Sequence, residues 1–178
     1  MMVVKGRLNF LGDATVNEYP DRKTLADIAV QTAKVARRFG LEPKVAMLSF
    51  SNFGSSRAQR SERIEEAIDM ALQMDPTLNI DGPMQADTAL DIDVQSEYPF
   101  MSFDGPANVL ICPNLASANI AYKLLEKLGD ADMTGPILDG LDKPVQLLAR
   151  ADGVRHIVNT AAICALDAIR QESYWSSL

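Results

Sequence analysis

Apolar residues along this chain recur in two alternating rhythms, short continuous runs and helical stripes. Val3 to Leu11 reads as one short strand, apolar at Val4, Leu8 and Phe10. From Asp21 to Gly40, Leu25, Ile28, Ala29, Thr32, Val35 and Ala36 recur at helical spacing; Asp21 suits the N-cap, and Arg37-Arg38 suit the last turn before Gly40. Val45 to Phe50 is unbroken apolar sequence, the pattern of a strand covered on both faces. A helix over Arg60 to Met74 turns Ile64, Ala67, Ile68, Ala71 and Leu72 inward and ends at Asp75-Pro76. Leu78 to Ile80 predicts a strand that stops at a turn, Asp81-Gly82-Pro83, before a helix over Met84 to Asp91. Asp93 to Asp104 reads as a loop carrying Tyr98 and Phe100. Val109 to Cys112 is the next strand and stops at Pro113-Asn114. The helix Ala118 to Leu128 places Ile120, Leu124 and Leu128 on one face and Lys123, Glu126 and Lys127 on the other. This alternation predicts an α/β fold, a helix-flanked, mostly parallel sheet.

Composition narrows the functional classes. The 178 residues, 47% hydrophobic, suffice for about one packed domain, and the net charge of −7 argues against nucleic-acid or anionic-membrane binding. No stretch nears the ~18 apolar residues of a membrane span, and the N-terminal MMVVKGRLNFLGD has early charges unlike a signal peptide. Cys112 and Cys164 fall in a predicted buried strand and a predicted buried helix, the pattern of reduced thiols in a cytoplasmic protein. With one histidine and two distant cysteines, a zinc site is not expected, and no Gly-x-Ser-x-Gly elbow is present.

The loop Ser49-Phe50-Ser51-Asn52-Phe53-Gly54-Ser55-Ser56 joins a buried strand to a helix. Such loops gather ligands at the carboxyl ends of strands, and a Gly/Ser-rich entry to a helix offers N–H and hydroxyl donors to a phosphate or carbonyl. A plain turn in which Ser55 or Ser56 caps the helix fits the same residues.

Residues 104–164 resemble the closing half of the phosphate acetyl/butyryltransferase family. The matching features are the strand ending in Pro113-Asn114, Asn119-Ile120-Ala121-Tyr122-Lys123, and Gly135-Pro136-Ile137-Leu138 followed by Lys143-Pro144-Val145. VAMLSFSNFGSS (45–56) and DGPMQADTAL (81–90) extend the resemblance upstream. It implies the phosphotransacetylase (isocitrate/isopropylmalate dehydrogenase-like) type of sheet. It also implies a chain divided into a second α/β domain, 1–135, and a C-terminal segment, 136–178, that returns to a first domain mostly absent here. The same resemblance places the 49–56 loop in the cleft and gives Ala118 to Leu128 a two-fold contact, hence a homodimer.

Three positions depart from the family's transacetylases. Phe53 stands where they carry a Lys before the loop glycine. Ala149 replaces the Ser of a Leu-Ser-Arg triplet, leaving Leu148-Ala149-Arg150. His156 holds the place of an Asp set to deprotonate the CoA thiol. Arg150 remains, and its guanidinium suits a carbonyl or phosphate. A fit of this kind, together with LGDATVN (11–17) and Arg37-Arg38-Phe39-Gly40, resembles the transacetylase-like C-terminal domain of bacterial NADP-dependent malic enzymes. That resemblance implies a domain without catalysis of its own. It would bind acetyl-CoA or another acyl-CoA through Ser49, Ser51, Asn52, Gly54, Ser55, Ser56 and Arg150 and regulate malate oxidation. NADP and a divalent metal would belong to the absent catalytic region. A catalytic phosphate acetyl- or butyryltransferase fragment and a ligand-free dimerisation scaffold are the competing readings.

Overall fold

A computed structural model describes residues 1–54, 59–150 and 152–175. Its centre is a six-stranded sheet in the order β4-β3-β5-β2-β1-β6. Strands β2 (Arg7–Gly12), β5 (Val109–Ile111), β3 (Lys44–Leu48) and β4 (Asn79–Met84) run parallel, while β1 (Met2–Val4) and β6 (Asp132–Met133) extend one edge antiparallel. The fold class expected from the sequence is therefore the one observed.

Alternation along the central strands explains the layering. Val45, Met47, Val109, Ile111 and Phe10 face α1 (Arg22–Arg38) and α2 (Gln59–Met74) in one core. Ala46, Leu48, Leu110 and Leu11 face the opposite core, with Ala89 of α3 (Ala86–Leu90) and Leu125 of α5 (Leu115–Leu128). Both faces are covered, so these strands contain almost no polar residues.

Four details differ from the sequence expectation. Val3 to Leu11 is a hairpin, because Lys5 and Gly6 both adopt positive φ (50° and 75°) and turn β1 back on β2. The 81–83 turn is instead a bulge inside β4, opposite Met47, so the strand continues to Met84. Edge position tolerates the proline there, since its missing N–H faces away from the ladder. Asp93–Asp104 begins inside a short helix, α4 (Ile92–Gln95), capped by Asp91 accepting from the Asp93 N–H at 2.9 Å. Cys164, expected buried, is half-buried on α6 (Val154–Trp175), with its thiol 3.6 Å from the Pro144 carbonyl.

The C-terminal segment is held mainly by polar contacts. Arg38, at the end of α1, pairs with Asp139 (2.5 Å) and Asp167 (3.3 Å), and Arg170 donates to the Arg38 carbonyl at 2.8 Å. Val154, Ile157, Val158, Leu166 and Ile169 on α6 are exposed.

Gly82 is the tightest point of the sheet. Its φ is +142°, and a Cβ there would lie 2.6 Å from the Met47 carbonyl oxygen. Neither backbone can retreat without breaking the β3–β4 ladder. Gly82→Ala should therefore destabilise the fold by about 2–4 kcal/mol, read as a lower urea midpoint at unchanged slope.

Candidate functional site

Strand order locates the crevice. From β3 the chain leaves through α2 over one face toward β4; from the neighbouring β5 it leaves through α5 over the other face toward β6. Adjacent strands that send their connections in opposite directions open a gap at their carboxyl ends, the usual ligand position in such sheets. Residues 49–54 and 112–114 lie at that gap.

Loop 49–54 is zipped onto the end of β4. The Ser49 N–H donates to Met84 O (2.8 Å) and the Phe53 N–H to Pro83 O (2.7 Å). The Asn52 side chain accepts from the Gln85 N–H (2.6 Å) and donates to Gln85 Oε1 (3.2 Å) and the Tyr98 hydroxyl (3.1 Å). Gln85 Nε2 closes the set on Phe50 O at 2.8 Å. Phe53 and Gly54 both adopt positive φ (44° and 76°), unusual for a phenylalanine. The Phe53 ring packs against Tyr98 and Phe100, centroids 5.2 and 4.8 Å away. It is thus committed to an aromatic cluster rather than standing free in the gap. Ser51 is buried, and its Oγ has no hydrogen-bond partner. Ser55 and Ser56 lie outside the described residues.

Of the other expected site residues, Ala149 and Arg150 are exposed, and the Ala149 N–H donates to Asp152 Oδ2 at 2.6 Å. His156 is half-buried, its Nε2 3.7 Å from the same carboxylate. Among the described residues no hydrogen bond, ion pair or ring contact joins 148–156 to 49–54. The structure brings Ser49, Ser51, Asn52 and Gly54 together and leaves Arg150 apart from them.

Sequence reading missed Arg63. Its Nη1 donates to Pro20 O (2.9 Å) and its Nη2 to Pro113 O (2.8 Å), while Nε is buried without a partner. A signal was present: 63, 67 and 71 form one i, i+4 row of α2, and Ala67 and Ala71 are fully buried. A basic residue on a buried row stands out.

A separate cavity of about 310 Å³ opens at the end of β2, between Asp13, Gln31, Thr32, Tyr122 and Ile137. Asp13 shapes its rim by accepting from the N–H groups of Thr15, Val16 and Asn17 and from Asn17 Nδ2. Neither 49–54 nor 148–156 lines it. Among the described residues no His/Cys/Asp/Glu cluster could hold a metal, and no helix is long and apolar enough to cross a membrane.

The sheet order and the strand-end loops define an α/β domain of the phosphotransacetylase type. The chain belongs to the phosphate acetyl/butaryl transferase family, whose profile matches residues 1–165. It is 43% identical to the phosphate acetyltransferase of Corynebacterium glutamicum over 94% of this chain and 51% of that protein. It is 42% identical to the NADP-dependent malic enzyme of Rhizobium meliloti over 92% of this chain but 22% of that one. A phosphotransacetylase from Streptococcus pyogenes superposes with a TM-score of 0.88 at 38% identity, covering 96% of this chain and 53% of its own. The chain thus spans about half the length of these two phosphotransacetylases, and about a fifth of the malic enzyme.

Cys112, just beyond β5, borders the same gap. Burial pushes its thiol up to about 11, against a smaller opposing pull from Ser117. Alkylation at pH 8 should therefore be about a hundredfold slower in the folded protein than in urea. The raised value also gives a pH sign. Its stabilisation is complete below pH 9, the unperturbed thiol value, and is lost as pH rises toward 11, because the unfolded chain releases the proton first. Cys112→Ala should flatten that decline in a pH series of unfolding midpoints.

Proposed function

We propose that this chain is an acyl-CoA-binding domain that senses acetyl-CoA for an NADP-dependent malic enzyme and does not itself transfer acetyl groups. The observation that carries the reading is the state of the three altered positions. Phe53 buries its ring against Tyr98 and Phe100, the Ala149 N–H is held by Asp152, and His156 faces Asp152. Phe53 and Ala149 supply neither the cation nor the hydroxyl that acetyl transfer would use, and at His156 an imidazole beside Asp152 stands in place of a carboxylate base. A positioned general base alone typically contributes about 10²–10⁴-fold.

In this reading acetyl-CoA, or another acyl-CoA, lies at the gap beside loop 49–56, and the 148–156 segment closes on it with Arg150. Residues 1–135 form the second domain of the family's fold. Residues 136–178 return to a first domain, which would cover the exposed apolar positions of α6. NADP and a divalent metal would be held elsewhere in such a protein. The competing reading, a catalytic phosphate acetyltransferase, draws on the 43% identity to the C. glutamicum enzyme, equal in practice to the malic enzyme match.

Arg150→Ala should weaken acetyl-CoA binding to the intact protein roughly ten- to hundredfold, the worth of one charge-assisted hydrogen bond. Isothermal titration checks this, and unchanged affinity in a folded variant would remove Arg150 from the site. Phosphate-dependent turnover of acetyl-CoA that vanishes in the same variant would instead establish the catalytic reading.

A homodimer through α5 belongs to the same proposal. Ala118 is buried and Leu125 packs on the core, so they anchor the helix, while Ile120 (59%), Leu124 (52%) and Leu128 (80%) point outward. A symmetric contact would cover that stripe and meet any new charge twice. Ala121→Glu should give a folded monomer by sedimentation velocity; an unchanged dimer would exclude this face.

A further inference from the structure

We propose that Arg63 holds the anionic part of the ligand, a phosphate or diphosphate group, at the carboxyl edge of the sheet. The inference rests on the acyl-CoA reading above and assigns the phosphate-bearing portion a place. Arg63 donates to the carbonyls of Pro20 and Pro113, the residues directly before the caps Asp21 of α1 and Asn114 of α5. It therefore sits where α1 and α5 begin, in the second turn of α2 itself. Two helix N-termini, those of α1 and α5, present partial positive charge beside it, a setting that favours anions.

Arg63 forms no ion pair with a carboxylate among the described residues, although Glu65 Oε1 borders Gly54 of the strand-end loop. Asp21 is occupied capping the Thr24 N–H (2.8 Å), Glu66 pairs with Arg22 (3.0 Å), and Glu62 and Glu65 are exposed. A half-buried arginine bonded only to neutral carbonyls, with Nε unpartnered, is not explained by clamping two loops alone. Ser51, 6% exposed and on the connection leading into α2, also has an orphan Oγ.

The test uses the intact protein and three probes: acetyl-CoA, S-acetylpantetheine, which has the thioester without phosphates, and inorganic diphosphate. Arg63→Met should weaken acetyl-CoA roughly ten- to hundredfold and leave S-acetylpantetheine unchanged, with Arg63→Lys recovering most of the loss. Equal losses for both thioesters would make Arg63 only a loop clamp and overturn the proposal, as would an unchanged acetyl-CoA affinity. If Arg63→Met does not fold, Arg63→Gln, which keeps a donor to the two carbonyls but not the charge, takes its place and must separate the two thioesters in the same direction. Should the wild type bind neither thioester, the acyl-CoA reading fails by itself. Arg63 is then judged on diphosphate, whose binding must fall in the variant for the inference to survive.

Discussion

Burial of β3 and β5 on both faces is the constraint from which the rest follows. Val45, Ala46, Met47, Val109 and Ile111 are at most 1% exposed, so the middle of the sheet has no room for chemistry. Polar function is pushed to the strand ends, where backbone groups lose their ladder partners and must find others. The two strands also dispatch their connections to opposite faces, and the gap between their ends lies where helices begin. Position and electrostatic sign of the site are thus consequences of packing and chain direction together.

The strand-end loop shows how far such a site can be built from short-range contacts. Asn52 satisfies both the backbone and the side chain of Gln85, and Tyr98 adds a third contact. With the backbone pinned at Ser49 and Phe53, a phenylalanine is held at φ 44°, a conformation it would not adopt unaided. The aromatic cluster that opposes this strain consumes the ring. Placement of Phe53 is therefore a matter of loop architecture as much as of ligand contact.

Much of the fold was legible because its elements obey one periodicity each. The α1 stripe, Asp21 as cap and the apolar run of β3 all agree with the structure, since propensity, capping and burial point the same way there. Failures came where long-range geometry overrides a local signal. Asp81-Gly82-Pro83 has turn composition, yet pairing with β3 absorbs it as a bulge. Lys5-Gly6 turns the chain within what looks like one strand, because a positive φ at lysine leaves no mark in the sequence. Within the site, Ser49 to Gly54 was readable from its place between strand and helix. Arg63 shows in the sequence only as a basic residue on an apolar helix row, because its contacts are two carbonyls 43 and 50 residues away.

Stability and function divide these residues in a consistent way. Phe53 packs on Tyr98 and Phe100, the Ala149 N–H donates to Asp152, and His156 lies 3.7 Å from the same carboxylate. These contacts are all local ones. Ser51 Oγ and Arg63 Nε differ: each is buried with its hydrogen-bonding capacity unused, at a cost of about 1–3 kcal/mol per group. A fold does not gain by retaining such groups, and the Arg63 charge adds a desolvation cost to them. An anionic acceptor of the kind proposed would recover part of that cost at Arg63, because α1 and α5 begin beside it. Unused hydrogen-bonding capacity beside the carboxyl edge of the sheet is thus the physical feature on which the proposed anion contact depends.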